Sequence, residues 1–148
     1  MRILTVHSDF IEFEPISKAI ASAEETEKAK KRIEECLVAF ASVEKGDEAD
    51  EAQVAQNAAK EIADVAAQVK ANRLVLYPWV HLSQKPSSPQ TALNVLKATE
   101  SELKCRGFSV ERSPFGWYKM FNIKCKGHPL SELSREVRPV GAKAGEQP

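Results

Sequence analysis

Apolar residues recur at two different spacings along this chain, and each spacing predicts a different kind of element. Between residues 48 and 71 the apolar positions lie three and four residues apart, with no glycine or proline among them, which predicts an amphipathic helix. The stripe that this helix would bury consists of Val54, Ala58, Ile62, Val65 and Val69. A second helix is predicted to begin at Ser88, a capping residue followed by Pro89, and to stop at Gly107.

Shorter runs that are rich in β-branched and aromatic residues predict strands. They cover residues 3–7, 10–16, 36–43, 73–77, 108–111 and 117–124. Because Ser8 and Asp9 are turn-forming residues between the first two runs, these two runs are predicted to form a hairpin. Residues 130–137, which follow a Gly-His-Pro turn, are predicted to form a short helix or a turn.

The predicted order β-β-β-α-β-α-β-β indicates an α+β fold with largely antiparallel β-sheets and two main helices. The sequence has neither a regular βα alternation nor a glycine-rich phosphate loop, which argues against a nucleotide-binding α/β fold. Its 148 residues suit one domain. We therefore predict a folded domain over residues 1–138, and we interpret the small and polar residues 139–148 as a linker or tail.

Charge and cysteine content narrow the function classes. Lysine plus arginine and aspartate plus glutamate both number 21, so the formal net charge is zero, which argues against binding nucleic acid by bulk charge alone. A neutral domain can still bind one RNA end in a local basic pocket. The charged residues 22–32 are either a solvated loop or short helix or an RNA-facing patch. The three cysteines form no CxxC pair, and the histidine spacing predicts no zinc site.

The sequence gives no sign of a membrane segment or a secretory signal. No apolar run approaches the roughly 18 residues that predict a membrane span. The N-terminal apolar run is too short and becomes polar too soon for a signal peptide. We therefore expect a cytoplasmic protein without a membrane partner.

Two side chains are candidates for chemistry on position alone. His81 lies on a loop after the strand predicted at residues 73–77, and such loops often carry functional side chains; the alternative is a structural histidine. Lys119, in a Trp-Tyr-Lys-Met run, is either an exposed lysine of an edge strand or a partly desolvated amine that acts as a base or a substrate clamp. By default, His128 is a turn histidine and Glu132 a solvated carboxylate.

Five segments together resemble the N-terminal editing domain of archaeal threonyl-tRNA synthetases. They occur in that family's order and spacing over residues 1–138, and their specificity lies in the combination rather than in any one of them. The segments are residues 3–10 (ILTVHSDF), 37–44 (LVAFASVE), 76–83 (LYPWVHLS), 114–119 (PFGWYK) and 125–135 (CKGHPLSELSR). Trp79 and Trp117 depart from the family, which often has a smaller aromatic residue at these positions.

The resemblance implies a fold similar to that of the homodimeric D-aminoacyl-tRNA deacylases, and an activity that removes serine from mischarged threonine tRNA. The family reaction uses an activated water and the 2′-hydroxyl of the terminal adenosine, and it needs no metal or other cofactor. The implied catalytic residues are Lys119, His81, Glu132 and Tyr118. The implied substrate-binding residues are Val80, through its backbone, Ala92 and His128.

The partners implied by the resemblance are a tRNA and other protein units. They are the 3′ end of threonine tRNA carrying serine, a second copy of this chain, and a synthetase aminoacylation core in the same chain or in trans. Two alternatives stay open: a free-standing D-aminoacyl-tRNA deacylase, and a non-catalytic tRNA-binding or dimerisation module. The motifs around Lys119 and Glu132 and the polar tail argue against the first, and the zero net charge argues against the second.

Overall fold

The computed structural model describes residues 1–139, which form one six-stranded sheet and two α-helices. In chain order the elements are β1 (Arg2–Lys18), β2 (Lys31–Ser42), α1 (Glu51–Val69), β3 (Arg73–Pro78), α2 (Pro89–Cys105), β4 (Ser109–Arg112), β5 (Trp117–Cys125) and β6 (Glu132–Glu136). Two short 3-10 helices are Lys45–Ala49, after β2, and Val80–Leu82, after β3. Apart from residue 139, the predicted tail lies outside the described residues.

The sheet is organised around β1. Its strand order is β4-β3-β2-β1-β5, and β6 also pairs with β1. β6 pairs with β1 from Arg2 to Val6, and β5 pairs with it from Ser8 to Lys18. Among the described strands, the three pairings of β1 with β2, β5 and β6 are antiparallel, and the two pairings of β3 with β2 and β4 are parallel. The α+β class, the two main helices and the predominance of antiparallel pairing are thus confirmed.

Both helices pack on one face of the sheet and bury the larger of two apolar clusters there. Asp50 caps α1 by accepting a hydrogen bond from the Gln53 N–H at 3.1 Å, and Ser88 caps α2 by accepting one from the Thr91 N–H at 3.2 Å. Small buried side chains let the α1 backbone approach its neighbours closely; they are Ala55, Ala58, Ala59 and Ala66. The predicted stripe of α1 and the predicted start of α2 are therefore confirmed. Within residues 1–139, no helix is long and apolar enough to cross a membrane.

The opposite face of the sheet, called here the open face, carries the second and more aromatic cluster. Its members include Phe13, Phe40 and Tyr77, which are buried, and Trp79, which is half-buried against them. Phe121 contacts the Phe40 and Tyr77 rings, with centroids 5.9 and 5.5 Å away, and is still 44% exposed. Because neither α1 nor α2 packs on this face, it leaves aromatic surface available for a ligand or a second chain.

The first two predicted strands are one continuous strand, β1, so the predicted turn at Ser8-Asp9 is wrong. Leu4 and Val6, at even positions, belong to the open-face cluster, whereas Ile11 and Phe13, at odd positions, belong to it farther along. The change of parity coincides with a register shift between β1 and β5 just after Ser8. A bulge of this kind keeps the strand paired while its side chains change faces. The broken alternation in the sequence therefore looked like a turn.

Residues 132–136 form β6, so the predicted short helix or turn over residues 130–137 is wrong. Leu133 and Arg135 are half-buried, whereas Glu132, Ser134 and Glu136 are exposed, which is the alternation of a strand. The physical reason lies in β1, whose first residues would otherwise present an unpaired edge. That edge comes from the opposite end of the chain, so no local pattern in residues 130–137 reveals it.

β2 begins at Lys31 rather than at residue 36, and this changes the interpretation of the basic residues 28–32. The Lys31 amine lies 2.7 Å from Glu111 Oε2. The Arg32 guanidinium lies 3.2 Å from Glu12 Oε2. Because carboxylates already neutralise these two cations of the charged segment 22–32, Lys31 and Arg32 offer little to an RNA-facing patch.

Candidate active site

Lys119 lies in β5, and its side chain reaches towards β3 and the end of β4. The amine donates to Ser113 Oγ at 2.8 Å and to the Pro114 carbonyl at 2.7 Å. It also lies 4.5 Å from the centre of the Tyr77 ring. Ser113 is fully buried, and its own N–H donates to the Leu76 carbonyl at 2.8 Å. Groups anchored in the sheet therefore fix the position of the amine.

The surroundings of Lys119 shift the pKa of its amine. Burial lowers the pKa of Lys119 to about 7, while the nearby Glu24 carboxylate raises this pKa and the Arg112 charge lowers it further. The two hydrogen-bond acceptors and the Tyr77 ring partly oppose burial, because they favour the cation. A side chain that exchanges its proton near neutral pH is suited to proton transfer in a reaction.

The segment that holds Lys119 is fixed by a network of ion pairs that the sequence did not indicate. Arg112 Nη2 lies 2.9 Å from Glu24 Oε2, and Arg112 Nε lies 2.9 Å from Glu100 Oε1. Glu24 also accepts a hydrogen bond from the Phe115 N–H at 2.9 Å. Glu24 and Arg112 are 88 positions apart in the chain, so no motif or spacing could have paired them.

His81 lies in the 3-10 helix that follows β3, and its side chain is exposed. Its ring stands edge-on to the Trp79 ring with the centroids 6.4 Å apart. The neighbouring Val80 is 53% exposed, and its carbonyl accepts hydrogen bonds from Ser42 Oγ at 3.4 Å and from the Ser83 N–H at 3.2 Å. Among the described residues, the His81 ring has no hydrogen-bond partner, so it is available to a ligand.

A continuous set of aromatic rings connects the surroundings of Lys119 with those of His81. Phe121 contacts Tyr77, which lies under the Lys119 amine, at a centroid distance of 5.5 Å. It also contacts Trp79, which lies beside His81, at 6.1 Å. The structure thus brings Lys119 and His81 to the same open face, on either side of an aromatic surface suited to packing against a base or a sugar.

Glu132 lies far from Lys119 within one chain. Glu132 pairs with Val6, whereas Lys119 pairs with Pro15. The nine steps along β1 between these two partners correspond to about 30 Å in an extended strand. Glu132 is exposed, and its Oε1 lies 3.7 Å from Cys125 Sγ. The predicted catalytic set is therefore not assembled by a single chain.

His128 closes the turn between β5 and β6. Its Nδ1 accepts a hydrogen bond from the Leu130 N–H at 3.1 Å, and its Nε2 lies 2.7 Å from His7 Nδ1. Because Nδ1 of His128 is an acceptor, the proton of the neutral ring lies on Nε2, and this N–H donates a hydrogen bond to His7 Nδ1. Burial lowers the pKa of His7, and the adjacent His128 and Lys126 lower it further. The described contacts of His128 are thus those of a residue that holds a turn.

Tyr118 and Ala92 also lie apart from the Lys119 amine. Tyr118 directly precedes Lys119 in β5, so the two side chains leave the strand in opposite directions, and Tyr118 is 64% exposed. Ala92 lies in the first turn of α2 and packs against the cluster on the helix-covered face. The structure therefore groups Lys119, His81 and Val80 on the open face, and it places the other predicted residues elsewhere in the chain.

The grouped residues support acid–base chemistry on a bound substrate. They offer an amine with a pKa near neutral pH, an exposed imidazole and an aromatic surface between them. Residues 1–139 contain no group of three or more His, Cys, Asp or Glu side chains that could hold a metal ion.

The family model and the related sequences that match this chain agree on one family. The family model described as the archaea-specific editing domain of threonyl-tRNA synthetase matches residues 1–137. The chain is 53% identical over 137 residues to a threonine–tRNA ligase of Methanocaldococcus jannaschii, a match that covers 93% of this chain and 22% of the ligase. It is 49% identical over 150 residues to that of Pyrococcus horikoshii, which covers 100% of this chain and 24% of the ligase. The chain thus spans about a quarter of the length of these relatives.

A solved structure shares the fold at low sequence identity. The chain is similar to the c-Myc DNA unwinding element binding protein, with a TM-score of 0.68 over 92% of this chain and 98% of the other. The two sequences are 8% identical, so the similarity concerns the fold alone.

Proposed function

The chain belongs to the archaea-specific editing-domain family of threonyl-tRNA synthetase, and from this premise we propose that it hydrolyses the ester joining serine to the 3′ end of threonine tRNA. The observation that carries the proposal is the Lys119 amine, whose pKa burial lowers to about 7. It lies on the same face as His81, across aromatic rings that suit a terminal adenosine. Editing is needed because a binding pocket separates substrates that differ by one methyl group by roughly 1–3 kcal/mol.

In the proposed reaction, a water oxygen attacks the carbonyl carbon of the ester and the bond from that carbon to the 3′ oxygen breaks. Lys119, as a neutral amine, takes the proton of the water and returns it to the leaving 3′ oxygen. The 2′-hydroxyl of the terminal adenosine orients the water, and His81 donates to the developing oxyanion. Serine leaves with a free carboxyl group, and the adenosine regains its 3′-hydroxyl. No metal or cofactor takes part in this scheme.

We further propose that the chain works as a homodimer. The open face leaves Phe121 and Val80 exposed, and a second copy is a partner that would cover them. Within one chain, Glu132 is separated from Lys119 by about 30 Å along β1. Two copies related by a twofold axis would bring the partner's Glu132 towards Lys119, because such an interface places opposite ends of the same surface together.

The proposed macromolecular partner is the acceptor end of threonine tRNA. A chain with zero formal net charge offers little bulk attraction for the remaining phosphates. A synthetase aminoacylation core, in the same chain or in trans, would hold the rest of the tRNA. Such a complex would act in the cytoplasm, where tRNA is charged.

Paired single-turnover assays of the 148-residue chain on Ser-tRNA and Thr-tRNA test the proposal. We expect rapid release of serine and little release of threonine, because the pocket must exclude the threonine methyl by a clash rather than by a missing contact. Equal rates on both substrates would contradict proofreading. Faster hydrolysis of a D-aminoacyl-tRNA would favour a free-standing deacylase, and binding without hydrolysis would favour a non-catalytic module.

A further inference from the structure

The loop that carries His81 is tied to a buried ionic cluster at the start of the chain. Glu44 Oε2 accepts a hydrogen bond from Ser83 Oγ at 2.6 Å. Glu44 Oε1 lies 3.3 Å from the α-ammonium group of Met1, a residue whose side chain is fully buried. The same ammonium lies 2.9 Å from Asp47 Oδ2, and Asp47 is 2% exposed. Glu44 therefore connects a buried cation with the loop.

Ser83 extends this connection to the backbone of the 3-10 helix after β3. The Ser83 N–H donates to the Val80 carbonyl at 3.2 Å, and Ser42 Oγ donates to the same carbonyl at 3.4 Å. The Lys85 N–H donates to Ser83 Oγ at 3.0 Å. The Ser83 hydroxyl thus donates to Glu44 and accepts from Lys85, so it fixes the backbone two residues after His81.

The contacts of the carboxylate that holds the loop favour its charged form. Burial alone would raise the pKa of Glu44, but the hydrogen bond from Ser83 and the positive charges of Met1 and Arg2 outweigh burial and lower it. Arg2 Nε lies 3.3 Å from Glu44 Oε2. An anion surrounded by fixed donors has few alternative positions, and this limits the positions that the loop can adopt.

We propose that Glu44 and Ser83 are positioning residues that hold the Val80 backbone and the His81 ring where the substrate binds. They are assigned no contact with the substrate, because their described side-chain contacts are with each other, with Met1 and Arg2 at the start of the chain, and with the Lys85 N–H. The inference rests on the proposed function, since it assigns His81 and Val80 to the substrate. It adds to the site a support that reaches from the α-ammonium group through Glu44 and Ser83 to the loop.

The test compares two substitutions of the same serine. Ser83→Ala removes the hydroxyl, and Ser83→Thr retains it as a rescue. We expect Ser83→Ala to slow single-turnover hydrolysis of Ser-tRNA by about tenfold, because small displacements of a reacting group are costly in rate. Ser83→Thr should stay within about threefold of the wild type. Amide hydrogen exchange at residues 80–82 should accelerate in Ser83→Ala and not in Ser83→Thr.

Ser87→Ala is the matched control. It removes a hydroxyl from the same loop, one that donates to the Ser88 carbonyl at 2.9 Å and not to Glu44, so both readouts should remain at wild-type values.

A Ser83→Ala rate within about threefold of the wild type would overturn the proposal whatever the exchange shows. If the wild type releases no serine, the proposed function fails. Hydrogen exchange then decides the positioning role alone: acceleration at residues 80–82 supports it, and unchanged exchange overturns it.

Discussion

The two ends of β1 hold their polar neighbours in different ways. At Pro15, β1 pairs with Lys119, whose amine is fixed by two hydrogen bonds and an aromatic ring. At Val6 it pairs with Glu132, an exposed carboxylate whose described side-chain contact is the 3.7 Å approach to Cys125 Sγ. One end is organised within the chain, and the other has a carboxylate that is free to meet a group from outside.

The difference follows from the cost of burial. A buried amine must find its partners inside the fold, whereas an exposed carboxylate is satisfied by water until something displaces that water. Substitutions at the Lys119 end should therefore act within one chain. Substitutions at the Glu132 end should show their effect through a partner, and this contrast can be tested.

The largest effect is expected from Lys119→Met, which retains the apolar stem and removes the amine. Single-turnover hydrolysis of Ser-tRNA should fall at least about 100-fold, the usual lower range for loss of a general acid or base. Circular dichroism should show an intact fold, because the packing changes little. Lys124→Met, which changes a lysine of the same strand with a 67% exposed side chain, is the control and should keep wild-type activity. A Lys119→Met rate within about threefold of the wild type would show that the Lys119 amine takes no part in the reaction.

The next largest effect tests whether a second copy of the chain contributes Glu132 to the site of Lys119. The Glu132→Gln variant and the Lys119→Met variant should each have low hydrolytic activity. When the two variants are mixed, unfolded and refolded together, activity should return. Random pairing makes half of the dimers mixed, and each mixed dimer has one intact site, so roughly a quarter of the wild-type activity is expected. Activity no higher than that of the separate variants would show that the two residues do not share a site across the interface. A monomer mass in light scattering would contradict the dimer itself.

A smaller effect is expected from His81→Ala. The His81 ring is exposed and stands edge-on to Trp79, so its removal should leave thermal stability nearly unchanged. Hydrolysis of Ser-tRNA should slow by at least about tenfold if the imidazole donates to the oxyanion. An unchanged rate, or loss of the circular dichroism signal, would reject this role.

The smallest effect is a pH dependence of stability at the Lys119 end. Burial lowers the pKa of Lys119 in the folded chain to about 7, whereas an unfolded lysine has a pKa of about 10.4. Between these values the unfolded chain binds more protons, so the contribution of Lys119 to stability rises with pH across this window. Lys119→Met should therefore have a higher melting temperature than the wild type at pH 6.5, and this advantage should shrink by pH 9.5. A constant difference would show that the pKa of Lys119 is close to that of an ordinary lysine.

Local signals predicted the parts of the fold that depend on local physics. The Ser88 cap, the Pro89 start and the α1 stripe were all correct, because capping and periodicity act within one or two turns. β1 was divided in two because a bulge changes its alternation, and β6 was missed because its partner lies at the other end of the chain. Sequence alone cannot separate a turn from a bulge when both interrupt the same pattern.

The candidate site shows the same limit. Position in the sequence and the resemblance both indicated Lys119 and His81, and the structure places both on one face. Nothing in the sequence indicated Ser113, Glu24 or Arg112, because their importance comes from contacts made after the chain has folded. The separation of Glu132 from Lys119 was equally hidden, since a motif specifies residue types and order but not which copy of the chain supplies them.

The length of β1 imposes a constraint of its own. β1 has 17 residues, and along one edge it pairs first with β6 and then with β5. The number of residues in β1 therefore fixes the positions at which β6 and β5 pair with it. Inserting or deleting one residue after Ser8 would turn every later side chain to the other face, including Ile11 and Phe13 in the open-face cluster. Substitutions change single contacts, but a change of length would disturb both edges together. Gaps among related sequences should therefore gather in the connections between elements and avoid this strand.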